Sequence, residues 1–121
     1  MRHRLAMILA RRDARVQALA HVLTLIAGGS SLAQACRDAG VSHDTVERRR
    51  KSEPDYQAGY IGSVRQCRQV LRLRMLVLLD APLAPGRAAR SARNREVARL
   101  HDALAATYSS GAVNGGRRPK S

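Results

Sequence analysis

The sequence predicts an all-α fold: an N-terminal helix-turn-helix bundle, then a long oligomerisation helix and a C-terminal helix. Three observations lead there. Apolar residues recur at three- and four-residue steps along most of the chain, and nowhere alternate as a half-buried strand requires. Glycine and proline fall between those periodic segments, at Gly28-Gly29, Gly40, Pro54 and residues 81–86, where they end helices. Residues 30–51 hold a cap, an apolar face, a turn glycine and a second cap, in the order that two closely crossing helices need.

Residues 1–12 form a basic helical lead. In residues 13–27, Val16, Leu19, Ala20, Leu23 and Ile26 make one apolar face, with Asp13 as the expected cap and Gly28-Gly29 as the stop. This helix supplies a third wall to the pair that follows. Ser30 or Ser31 caps a helix over residues 32–39, which offers Leu32, Ala35, Cys36 and Ala39 on one side. Gly40 breaks it, because the left-handed turn at a helix end carries no Cβ penalty for glycine. Val41 points inward, Ser42 caps the second helix, and Val46 anchors that helix to the first.

Ser52-Glu53-Pro54-Asp55 ends the second helix, since the residue before proline avoids the α region. Asp55 is the expected cap of a helix over residues 56–80. Tyr60, Val64, Cys67, Leu71, Met75 and Leu78 then fall close to a heptad seam. Residues 71–79 are apolar nearly all round, apart from Arg72 and Arg74. Such a segment needs cover on several sides. The expectation is therefore a homo-oligomer held through Tyr60, Val64, Leu71, Met75 and Leu78. Two prolines and a glycine make residues 81–86 a linker. Residues 87–108 form a last helix with Val97, Leu100, Ala103 and Leu104 on one side. Residues 109–121 are a disordered basic tail with Arg117, Arg118 and Lys120. The chain thus divides into a DNA-binding unit (1–53), an oligomerisation helix (54–80), the linker, the C-terminal helix and the tail.

The chain has 121 residues, with 22 Lys and Arg against nine Asp and Glu, a formal charge of +13. That excess points to a polyanionic partner. The cations are spread through several segments and no clean amphipathic anchor stands out, so double-stranded DNA is expected rather than a membrane surface. No run approaches the roughly 18 apolar residues of a membrane span. Arg11 and Arg12 cut short the apolar part of a signal-like start, and a cytoplasmic protein is expected. Cys36 and Cys67 are too few and too far apart for a disulfide framework or a zinc finger, and His3 and His21 have no partners at metal spacing. There is no phosphate-binding glycine loop, no His-x-x-x-His and no Gly-x-Ser-x-Gly. No enzyme, cofactor or metal is expected.

Specificity is expected on the second helix of the motif. Opposite Val46 lie Asp44, Glu47, Arg48 and Lys51. Arg48 is the expected base reader, since arginine offers paired donors to guanine O6 and N7. Glu47 can accept from cytosine N4, and His43 can touch a base or a phosphate. Arg49 and Arg50 are expected at phosphates, their stems packed down. Ser31 and Ser42, at the helix starts, complete the expected DNA-binding set. The competing reading of this face is a pair of i,i+4 ion pairs, Asp44 with Arg48 and Glu47 with Lys51.

The run from Ala35 to Tyr60 resembles the N-terminal domain of phage terminase small subunits. Ala39-Gly40-Val41-Ser42, Thr45-Val46 and Glu53-Pro54-Asp55-Tyr56 carry the resemblance, which covers about a third of the chain, from Gly28 to about Tyr60. It implies a DNA-binding subunit that assembles into a ring, recognises viral DNA for packaging and works with a large ATPase-nuclease subunit. The chain departs from the family in having Glu47 and Arg49 where an aromatic residue often follows the Thr-Val pair. Beyond Asp80 nothing resembles the family. Helix-turn-helix transcriptional regulators and basic scaffold proteins that bind nucleic acid non-specifically are the alternatives.

Overall fold

The computed structural model describes residues 2–82 and 85–109, and those residues are helical with no strand. Five helices follow in order: α1 (Arg2–Ala27), α2 (Leu32–Ala39), α3 (His43–Ser52), α4 (Pro54–Asp80) and α5 (Arg87–Ser109). The expected tail at 110–121 lies outside the described residues, as do residues 83 and 84 of the expected linker.

The short helices begin and end as their sequence dictates. Ser31 caps α2 by accepting from the Gln34 N–H at 3.1 Å. Ser42 caps α3 by accepting from the Thr45 N–H at the same distance. Gly40 ends α2 at φ 72°, and the following N–H, of Val41, bonds the Cys36 carbonyl at 3.0 Å. This left-handed cap satisfies carbonyls that the helix end would leave without partners. Pro54 opens α4, where its missing N–H costs nothing, and Glu53 stands at the cap position that the sequence assigned to Asp55.

α1 differs from expectation in two ways. It is one 26-residue helix, so Asp13 lies within it and caps nothing. Its core face is Leu19, Val22 and Ile26, while Val16 and Ala20 are exposed. The body of the protein reaches α1 only from about Leu19 onward, and the cover it provides, not the hydropathy of α1 itself, selects the buried face.

α1 and α4 lie side by side and run in the same direction. Tyr56 Oη donates to the Leu19 carbonyl at 2.8 Å near one end. Arg74 Nη2 donates to the Gly28 carbonyl at 3.0 Å near the other. Burial pushes the Tyr56 phenol up to about 12, so it stays a neutral donor. Gly29, at φ 111°, makes the α1–α2 turn, and a Cβ there would stand 2.8 Å from the Arg74 guanidinium. The position needs glycine for its backbone and for this close approach.

One core runs through all five helices. It joins Leu19, Val22 and Ile26 of α1 to Ala35 and Cys36 of α2, Val46 of α3, the α4 stripe and Leu100 of α5. The break expected at residues 53 and 54 therefore does not divide the packing. The expected oligomerisation seam is part of this core. Tyr60, Val64 and Leu71 are at most 5% exposed, and Met75 and Leu78 pack against them. Sequence reading underrated the cover that α1 and α5 supply. α5 is fastened to α4 by more than Leu100: Arg68 lies 3.8 Å from the Tyr108 ring centre and donates to Thr107 Oγ1 and to the Thr107 carbonyl, both at 3.0 Å. Arg72 also donates to Tyr108 Oη. The apolar side chains left in solvent are others, Leu73, Leu76, Val77 and Leu79 of α4, each more than half exposed. Leu71→Ala should cost about 2–5 kcal/mol of unfolding free energy, as core truncations do. Leu5→Ala, in the exposed part of α1, should stay within about 0.5 kcal/mol. Urea denaturation of the two variants measures the difference.

Candidate nucleic-acid interface

α3 is short and strongly polar, and its seat fixes which side chains face outward. Val46 is fully buried against the other helices. Arg50, one turn on, is only 8% exposed. Its guanidinium lies 4.0 Å from the Tyr60 ring centre, donates from Nε to Gln57 Oε1 at 2.6 Å and pairs through Nη1 with Glu47 Oε1 at 2.9 Å. A cation taken from water needs such partners, and here a ring face, a carboxylate and an amide supply them. Arg49 pairs with Glu53 at 2.6 Å across the α3–α4 junction.

The run Arg48-Arg49-Arg50-Lys51 is therefore divided. Arg50 is turned inward and holds α3 to α4, which corrects the expectation that its head reaches phosphate. Glu47, half-buried, is bound to it and does not stand on the open face. Arg49 is engaged by Glu53. Arg48 and Lys51 are exposed, and among the described residues neither is in an ion pair. With exposed Asp44 they form the outer face opposite Val46. The Asp44–Arg48 and Glu47–Lys51 pairs of the competing reading are not formed. Glu47 reaches instead for Arg50, whose guanidinium is already fixed over Tyr60.

His43 is exposed at the first position of α3, beside its cap. Ser42 Oγ is shared between the Thr45 N–H and Thr45 Oγ1, the latter at 2.7 Å. Ser31, exposed, caps α2. It borders an apolar crevice of about 240 Å³ whose walls include Leu32, Tyr60, Ala103 and Thr107, on the α5 side of the molecule. The structure thus brings together Asp44, Arg48 and Lys51 and turns Arg50 away from them, while His43 falls on the Val46–Arg50 side of α3 by its i,i+3 and i,i+7 spacing. The inward turn of Arg50 had one sequence signal, its i,i+4 spacing from Val46. Tyr60, the partner that makes burial of a cation tolerable, lies ten positions away on another helix.

Arg50→Ala should cost about 2–3 kcal/mol, because it leaves Glu47 and Gln57 with unmet partners in a half-buried site. Arg50→Lys should recover little of this, since an ammonium cannot both stack on Tyr60 and reach the two acceptors. Arg49→Ala, at an open ion pair, should cost at most about 1 kcal/mol. Urea titrations at fixed salt rank the three variants. Comparison with family models, curated proteins and solved structures finds no match to this chain.

Proposed function

We propose that this chain is a helix-turn-helix protein that binds double-stranded DNA by laying α3 in the major groove, and that it serves as the small subunit of a viral DNA-packaging terminase. The observation that carries the DNA reading is the divided cationic run. Arg50 is enclosed and fastens α3 to α4, Arg49 is taken up by a surface pair with Glu53, and Arg48 and Lys51 are left without an ion pair among the described residues on its outer face. A side chain that reads a base must be free of protein partners and carried on an element that does not move, and Arg48 meets both conditions. The charge of +13 supports the same partner.

The packaging role rests on the resemblance of residues 28–60. Self-assembly is supported by the apolar face of α4 opposite its core stripe, where Leu73, Leu76 and Val77 are 54–67% exposed. A second copy of the chain is the proposed cover, and the large terminase subunit the proposed further partner. In this reading the subunit contacts move from the Tyr60–Leu71 stripe to the opposite side of the same helix.

Arg48→Ala should cost about 1–3 kcal/mol on the preferred duplex and flatten the preference between sequences. Lys51→Ala should weaken all sequences alike and make the salt dependence shallower by about one unit of slope. Fluorescence anisotropy on matched and scrambled duplexes across a salt series measures both. An Arg48→Ala protein with full discrimination would remove the reading role from Arg48. For assembly, native mass spectrometry of the unmodified chain should give oligomers, and the triple change Leu73→Ser, Leu76→Ser, Val77→Ser should give monomers with an unchanged helical spectrum.

A further inference from the structure

The N-terminal half of α1 is exposed and packs against no other helix among the described residues. Leu19 lies level with Tyr56 at the start of α4, as their 2.8 Å hydrogen bond requires. Every residue from Arg2 to Gln17 is exposed. Residues 2–16 therefore project past the α3–α4 junction as a helical arm of about 21 Å, at about 1.5 Å per residue.

The face of this arm is set by the face that builds the core. Stepping back from Ile26 through Val22 and Leu19 by threes and fours, the same side of α1 continues through Arg15, then Arg11 and Arg12, then Ile8 and Arg4. Aliphatic residues give way to arginines where the core ends. The arginines look to the side of α1 on which the body lies, and the arm leaves the body at the end where α3 finishes with Lys51. Residues 2–16 hold five arginines and one aspartate. None of them is in an ion pair.

We infer that this arm is a second DNA-contacting element, whose arginines follow the phosphate backbone of the duplex next to the segment that α3 occupies. The inference rests on the reading of α3 as a DNA-binding helix and extends it. Two other surfaces for the arm fit less well. An anionic membrane needs apolar and cationic residues on separate faces. Here Ile8 stands among the arginines, and Arg12 interrupts the line of Leu5, Leu9 and Val16. A paired arm from a second copy would bring Arg12 into the middle of its seam and set two strongly cationic helices together. Duplex DNA takes the charge as it stands and requires no continuous apolar face.

The test uses the full chain and the triple variant Arg4→Ala, Arg11→Ala, Arg15→Ala. All three sites are exposed, so the thermal melt should not move. On a long duplex the variant should bind more weakly, equally on matched and scrambled sequences. Its plot of log K against log salt should be shallower by about 2.7, at about 0.9 per lost phosphate contact. Trimming one flank of the duplex by about six base pairs, the arm's length at 3.4 Å per step, should erase the difference between the two proteins. If the unmodified chain binds duplex DNA, and Arg48→Ala impairs it, while the triple variant keeps the original slope, the arm inference falls and the α3 reading stands. If the unmodified chain binds no duplex at all, both fall. If the triple variant loses binding to vesicles containing phosphatidylserine but keeps its DNA slope, the arm serves a membrane and the inference is overturned.

Discussion

The stack of Arg50 on Tyr60 is the contact on which the rest of the arrangement turns. Of the 22 Lys and Arg in the chain, Arg50 is the one that is buried among the described residues. The chain has no phenylalanine and no tryptophan, and three tyrosines only. Each tyrosine ties two helices together. Tyr56 bonds α4 to the backbone of α1, Tyr60 carries Arg50 of α3, and Tyr108 of α5 lies under Arg68 and Arg72 of α4. Cation–π contact lets arginine do part of the fastening that large aromatic pairs do elsewhere. The remaining core is made of small and medium side chains, with Val22, Val46 and Leu100 its most completely enclosed larger members.

This explains why one stretch of like charge has two roles. The four cations of α3 look equivalent in sequence, yet the turn of the helix sends them to different surroundings. Arg50 lies one turn after Val46 and meets the ring. Arg49 falls beside the junction and meets Glu53. Arg48 and Lys51 fall opposite the core. The electrostatic cost of enclosing Arg50 is offset by a near-complete set of partners, and the return is a helix whose outer face holds a fixed orientation.

Much of the fold was legible because the signals were local. The caps at Ser31 and Ser42, the left-handed Gly40, the proline that opens α4 and the breaks around residues 81–86 are each read from one to four adjacent residues, and each governs its own backbone. What was not legible depends on how helices cover one another. The period of α4 marked Tyr60, Val64 and Leu71 as one face, but period does not say whether that face meets the same chain or another. The identity of the cover came from α1 and from α5, whose weak apolar stripe looked insufficient until the Arg68–Tyr108 contact is counted. The same limit applies to the candidate site. Exposure of Arg48 and Lys51 followed from helix geometry, whereas the capture of Arg50 by a residue ten positions on, and the position of Ser31 against α5, required the tertiary arrangement.

The parallel course of α1 and α4 bears on how the molecule acquires its shape. Two parallel neighbours oblige the chain to travel back along the whole of their contact, and α2 with α3 is that return path. Its ends are fixed at Gly28–Gly29 beside Arg74 and at Glu53 beside Tyr56. The pairing of Tyr56 with Leu19 spans 37 positions of chain, so closing it carries an entropic cost that only the assembled core offsets. The contact of α3 with α4 is local by comparison, Arg50 meeting Tyr60 ten positions on. A chain lacking α4 has the sequence of α3 without the ring that receives Arg50.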